Sequence, residues 1–386
     1  MWGANEGMNK HMQGGGAWGD GGAPLGRESV ERLVEQAREE VDRGRRLDLF
    51  LEAMRRAGRC GEVGLERDAL SQAVLFSIGT GDPRELVRLF WPEFSGLEEG
   101  VFQAGRQRDR YLWAAERVLY FAPEYPELPL EELERALGIW LEALRRAGGY
   151  ERKTGLRLQL HHSLRLGRLE KAGALLRALE AVEPESDFVP RAGLLPGEEP
   201  GGRDGGLVDF GCQAYANQVR VLYHCARGDA IQAWRCARYL VDGRSACGLS
   251  LCAAAPREAL AALLEPLDRA GLNSEADVAH RMGLPMVRGV AAVEGLLGHH
   301  LRHLVRRGAT EQARDLLEPA LVSGPAATTP FQRFHLLRGA LAVFRAVPAT
   351  AGRCAALREE AAGLAERFDL RNGGDSFRQL LGECVS

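Results

Sequence analysis

Lysine is nearly absent. Only Lys10, Lys153 and Lys171 occur, so 47 of the 50 basic side chains are arginine. A GC-rich genome would give this, and so would a surface selected for forked recognition of carboxylate or phosphate. Composition alone does not separate the two. Bulk positive charge is also lacking. The formal net charge is −3, which supplies no broad field for nucleic acid or an anionic membrane. Long hydrophobic runs are missing as well. The longest, such as 259–264, fall far short of the ~20 apolar residues that cross a bilayer. Residues 1–26 hold nine glycines but no apolar stretch of the signal-peptide kind.

Catalytic and cofactor signatures are equally scarce. No Cys-x-x-Cys occurs among the eight cysteines, so the common zinc-knuckle spacing fails. Free thiols in a reducing cytoplasm are expected, mostly as small buried hydrophobes, with a Cys212/Cys252 thiol pair or an incomplete metal site as the minority reading. No Gly-x-x-x-x-Gly-Lys-Ser/Thr loop and no Gly-x-Ser-x-Gly elbow is present. His299 and His303 stand four apart, but the run is His-His-Leu-Arg-His rather than His-Glu-x-x-His, so no general-base glutamate accompanies them. Surface or capping roles are expected for these histidines. The pairs Glu39-Glu40, Glu98-Glu99 and Glu359-Glu360 read as solvated helix faces. Arg106, Arg108 and Arg110 splay around more than one face and carry no nucleic-acid expectation. No catalytic residue, metal site or cofactor is expected.

What is present is helix. No segment alternates with period two, while Leu, Ala, Arg and Glu dominate. Residues 1–27 read as a disordered glycine-rich tail. Ser29 is the expected N-cap of a first helix. The region 28–150 reads as N-terminal helical hairpins, with helices near 46–57, 66–78, 83–91, 95–121 and 129–147. Residues 151–349 form a second region. Its helices fall near 151–166, 168–182, 208–226, 229–242, 250–270, 273–282, 287–307, 310–322 and 330–346, with a Pro/Gly-rich loop at 185–207. Residues 350–386 close the chain with capping helices.

Four places in the second region share one local grammar. They run Gly167 to Ala172, Gly228 to Ala233, Gly271 to Ala276 and Gly308 to Ala313, each with alanine five residues after the glycine. The glycine would end one helix in a left-handed turn, and the small alanine would let the next helix approach closely. Pro184 and Pro325 follow Gly167 and Gly308 at the same offset of seventeen. This pattern resembles the middle of the tetratricopeptide (TPR) repeat, with degenerate units and insertions. The segment 364–374 is similar to the end of TPR-like proteins of GC-rich, actinobacterial-type bacteria. The resemblance implies an all-α superhelical solenoid of antiparallel helix pairs whose first helices line a concave groove.

The resemblance further implies which side chains face that groove. They are Arg157, His161 and Arg165 in the unit of Gly167, Gln218, Leu222 and Ala226 in that of Gly228, and Gly298, Arg302 and Arg306 in that of Gly308. The basic positions would suit an acidic or carboxylate-bearing peptide or protein segment. A non-enzymatic cytoplasmic scaffold is therefore the leading expectation. A ligand- or peptide-sensing regulatory subunit is the alternative, and an enzyme with a His/Cys metal site the third. Neither a membrane nor a nucleic acid is an expected partner.

Overall fold

The computed structural model describes residues 27–62, 65, 69, 73, 112, 115–116, 118–147, 152–182, 213–241, 254–288, 294–322, 329–347 and 351–385. The expected tail, the 185–207 loop, Arg106 to Arg110, Cys212 and Cys252 lie outside them, as does most of 66–117. Among the described residues every regular element is a helix and none is a strand. The chain divides into two compact units, Met1–Ala73 and Val74–Ser386.

In the first unit, α1 (Arg27–Glu39) packs on α2 (Arg43–Arg59). Val30, Val34 and Ala37 recur at helical spacing on one face of α1 and are buried, as are Leu47, Phe50, Ala53 and Ala57 on α2. Asp42 caps α2 by accepting a hydrogen bond from the Arg45 amide at 2.8 Å. Ser29 is not a cap. It lies inside α1 and is buried there, because the helix already includes Arg27.

In the second unit a short 3-10 turn, Ala122–Glu124, precedes α3 (Leu130–Ala147). Trp140 of α3 is fully buried and its indole N–H donates to the Leu112 carbonyl at 2.9 Å. Four hairpins follow. They are α4 (Arg152–Arg165) with α5 (Leu169–Val182), α6 (Gln213–Ala226) with α7 (Ala230–Val241), α8 (Ala254–Arg269) with α9 (Asn273–Val287), and α10 (Glu294–Arg306) with α11 (Thr310–Val322). Then come α12 (Pro330–Ala346), α13 (Ala351–Asn372) and α14 (Ser376–Val385).

The shared grammar has a shared geometry. Gly167, Gly228, Gly271 and Gly308 have φ of 72°, 73°, 71° and 77°, a region that costs any residue with a Cβ. At each turn the amide one residue beyond the glycine reaches back five residues, as Arg168 does to the Ser163 carbonyl and Leu272 to that of Leu267. This closes the last carbonyls of the first helix. Ala172, Ala233, Ala276 and Ala313 are each 0% exposed, so the second helix docks on its partner through them.

The hairpins also pack on one another. The first helices make a continuous series, α4 on α6, α6 on α8, α8 on α10 and α10 on α12. The closest of these contacts runs through glycine. A Cβ on Gly298 would overlap the His335 carbonyl oxygen, and one on Gly339 would meet the Gly298 Cα. So α10 and α12 touch backbone to backbone. Thr329 starts α12, accepting from the Gln332 amide at 3.1 Å while its hydroxyl donates to Glu124 at 2.7 Å. No helix among the described residues is long and apolar enough to cross a membrane.

Candidate functional site

The series of first helices lines a half-open cavity of about 660 Å³. Each helix lines it with residues about one turn apart. These are His161, Leu164 and Arg165 from α4, Leu222, Cys225 and Ala226 from α6, Glu258, Ala262 and Glu265 from α8, Leu296 and His299 from α10, and Phe331, His335 and Arg338 from α12. Arg227 and Arg269 stand at hairpin ends, and Leu380 and Glu383 of α14 come in from the C-terminus. The volume is that of a small-ligand site.

Two carboxylates, the buried Glu258 and the half-buried Glu265, organise the floor. Glu258 is bonded by Arg165, by Gln218 and by the Tyr120 hydroxyl, the last at 3.0 Å. Arg165 also reaches Glu124 at 3.2 Å and lies over the Phe331 ring at 4.2 Å. Burial acts against the charge of Arg165, yet the Glu258 and Glu124 carboxylates raise its pKa. The other centre is Glu265. Arg302 pairs with it, and Arg269 and Arg306 each stand 2.9 Å away. Burial alone would raise its pKa, but Arg302, Arg338 and Arg306 hold it down at about 2. Glu383 meets Arg269 at 2.9 Å and Arg338 at 3.7 Å.

The histidines are held neutral. Burial, with Arg165 and His162 beside it, pushes His161 well below 6.5. Burial and neighbouring guanidiniums do the same to His299, and burial, His299 and the arginines to His335. His161 stacks on Tyr120 at 4.1 Å between centroids, and His299 stacks on His335 at 5.0 Å.

The sequence-derived positions divide. His161, Arg165, Leu222 and Ala226 line the cavity. Gln218 does not, but it bonds the lining Glu258. Arg157 is fully buried away from the lining, and Arg302 and Arg306 sit behind Glu265 as its ion-pair partners. Gly298 is spent on the α10–α12 contact, which turns that face of α10 into α12 and leaves Leu296 and His299 to the cavity. Two acidic residues, Glu258 and Glu265, are absent from the sequence-derived set. The offsets used for the other units, applied to Gly271, give Ala261, Glu265 and Arg269, and the last two do line the cavity.

His303 is buried and His299 half-buried, and they part company. His299 faces His335, whereas His303 donates to Asp268 at 3.1 Å and stands against His280. His300 and His280 approach through their Nδ1 atoms at 3.1 Å. Among the described residues no group of three or more His, Cys, Asp or Glu is placed to hold a metal ion. Cys236 is buried and Cys60, Cys225 and Cys354 are half-buried, and none of the four is in a disulfide. No known protein family matches the chain, and no curated protein does either.

Proposed function

We propose that the chain is a non-catalytic cytoplasmic binding protein. In this reading the hairpins form a TPR-like solenoid, and the faces of its first helices hold a segment of a protein or peptide partner. The observation that carries it is the source of the lining. All five first helices contribute to one cavity, and among the described residues the second helices contribute nothing beyond their turns. A repeat array that binds along the faces of its first helices would be built this way. The walls mix apolar side chains with arginines, which suits a partner segment bearing carboxylate.

Ala226 gives the test, because it is exposed and lines the cavity. Ala226→Trp should fill part of the groove without touching the core. Ile231→Glu, on an exposed position of α7, is the control. A partner captured by the native chain and by Ile231→Glu should be lost with Ala226→Trp. Equal capture by all three would remove the groove reading.

The alternative of a ligand-sensing subunit gains support from buried polar atoms on the cavity wall that lack partners. Arg165 Nε, His335 Nδ1 and Arg338 Nη2 make no hydrogen bond. A wall built only for a chain segment lying across it has no need of such donors at its base.

A further inference from the structure

We propose that the base of this cavity binds a small organic anion, an oxyanion on an apolar body, between Arg165 and Arg338. The inference rests on reading the groove as a binding site and names the ligand class it takes.

The Arg338 side chain is 1% exposed, its Nε donates to the Leu380 carbonyl at 3.0 Å, and its Nη2 has no hydrogen-bond partner. The nearest carboxylates stand at 3.7 Å (Glu383) and 3.9 Å (Glu265), beyond hydrogen-bond reach. A buried charged donor left unmade is costly, so such a group marks a place that something else completes. On α4, Arg165 has an unpaired Nε, and its guanidinium lies over the Phe331 ring of α12. Next to Arg338 on the same face of α12, His335 presents an unpaired Nδ1. His161, fully buried, has no hydrogen bond of ordinary geometry at either ring nitrogen.

Arg165, Arg227, Arg269 and Arg338 line the cavity beside Glu258, Glu265 and Glu383, while Arg227 turns outward to Glu170 at 3.7 Å. Between the charges lie Leu222, Leu296, Phe331 and Leu380, which would face the apolar body. Carboxylate and phosphate both fit forked guanidinium donors.

An anion there changes the histidines. His161 is surrounded by Tyr120 and Tyr215, by Arg165 and His162 of its own helix, and by Glu258 opposite. His335 faces His299 and Arg302 of α10, Arg165 of α4, and Phe331 and Arg338 of α12. Guanidiniums help keep both rings neutral. A bound negative charge offsets them and favours the imidazolium, so binding takes up a proton and tightens as pH falls.

The experiment is calorimetric titration of the full chain with 3-phenylpropionate, phenyl phosphate, 3-phenylpropionamide and the peptide acetyl-Ala-Ala-Phe with a free carboxylate. Titrations run from pH 8 to pH 6 in buffers of differing ionisation heat. At least one of the two small acids should bind, with the amide about tenfold or more weaker. Affinity for 3-phenylpropionate should rise as pH is lowered, by at most about tenfold per pH unit, with buffer-dependent heat reporting proton uptake. Ala226→Trp should abolish binding. Arg338→Met should do so too, while Arg338→Lys, keeping the charge, should retain part of it. Circular dichroism verifies that each variant is folded. Four results overturn the proposal: neither small acid binds, the amide binds as well as the acids, only the tripeptide binds, or no proton is taken up. Partner capture distinguishes the two failures. Loss of capture in Ala226→Trp with no acid bound sinks this inference alone. Acid binding with capture unaffected sinks the partner reading and leaves this one standing.

Discussion

At the scale of single residues, glycine does opposite things at different places in this chain. Gly298 and Gly339 let two helix backbones meet, and a methyl group at either has nowhere to go. Gly298→Ala should therefore destabilise the protein by about 1–3 kcal/mol, the usual cost of overpacking a rigid contact. Gly363 sits on the exposed face of α13, and a methyl group there would meet nothing within 4 Å. Gly363→Ala should stabilise by about 0.5–1 kcal/mol through helix propensity alone. Urea unfolding of the two variants beside the native chain should move the midpoint in opposite directions. Two shifts of the same sign would contradict the packing assigned to α10 and α12. Nothing in the sequence marks this difference, because both glycines sit in helix-forming surroundings.

At the scale of elements, the sequence was most legible where a local rule suffices. Leu and Ala at helical spacing place α4 to α8, α11 and α12 within about five residues of their observed bounds, whereas the expected start of α10 near 287 falls seven residues before Glu294. The expected end of α9 near residue 282 was five residues short, since the helix runs to Val287. Gly283, the residue after that expected end, lies inside the helix, is buried, and lets the His300 ring come within 3.0 Å of its Cβ direction. Tertiary contact gave that glycine its meaning. The hairpin turns test the local rule directly. Gly271 has φ of 71° and open space around its Cβ position, so Gly271→Ala isolates backbone strain. It should cost about 1–2 kcal/mol. Ala276→Leu, five residues on, forces a large side chain into a site with 0% exposure and should cost about 1–3 kcal/mol. Thermal melts of both variants check this. An unchanged melting temperature for Gly271→Ala would mean that the turn is not held left-handed in solution.

At the scale of the whole molecule, the candidate site was half legible. Spacing found the helix faces of α4 and α6, where one rule of register holds. It failed at α10, where the glycine contact with α12 rotates the face. It passed over Glu258 and Glu265 because a glutamate in a helix-forming run carries no local mark of burial. The same buried chemistry has a consequence for the entire fold. Six of the nine histidines, His161, His162, His280, His299, His300 and His335, have folded pKa values below 6.5, with burial the leading cause in every case. His162 and His280 are held at about 4. Such groups are neutral in both states above pH 6.5, so stability there is undiminished. Below it the unfolded chain binds protons that the folded one refuses, and stability falls until the folded pKa is passed. Each such histidine removes up to about 1.4 kcal/mol per pH unit in that window. Glu124 works the other way, since burial raises its pKa and the folded state then takes the proton more readily. One carboxyl does not offset six imidazoles. Glu265, held at about 2, adds a further loss only as pH drops below about 4.5. The urea midpoint should thus be level from pH 8 to pH 7 and fall steeply between pH 6.5 and pH 5, well before ordinary carboxylates titrate. A midpoint that stays level down to pH 5 would mean that these rings are solvated in the folded protein, and the neutral, closely packed cavity wall would go with them.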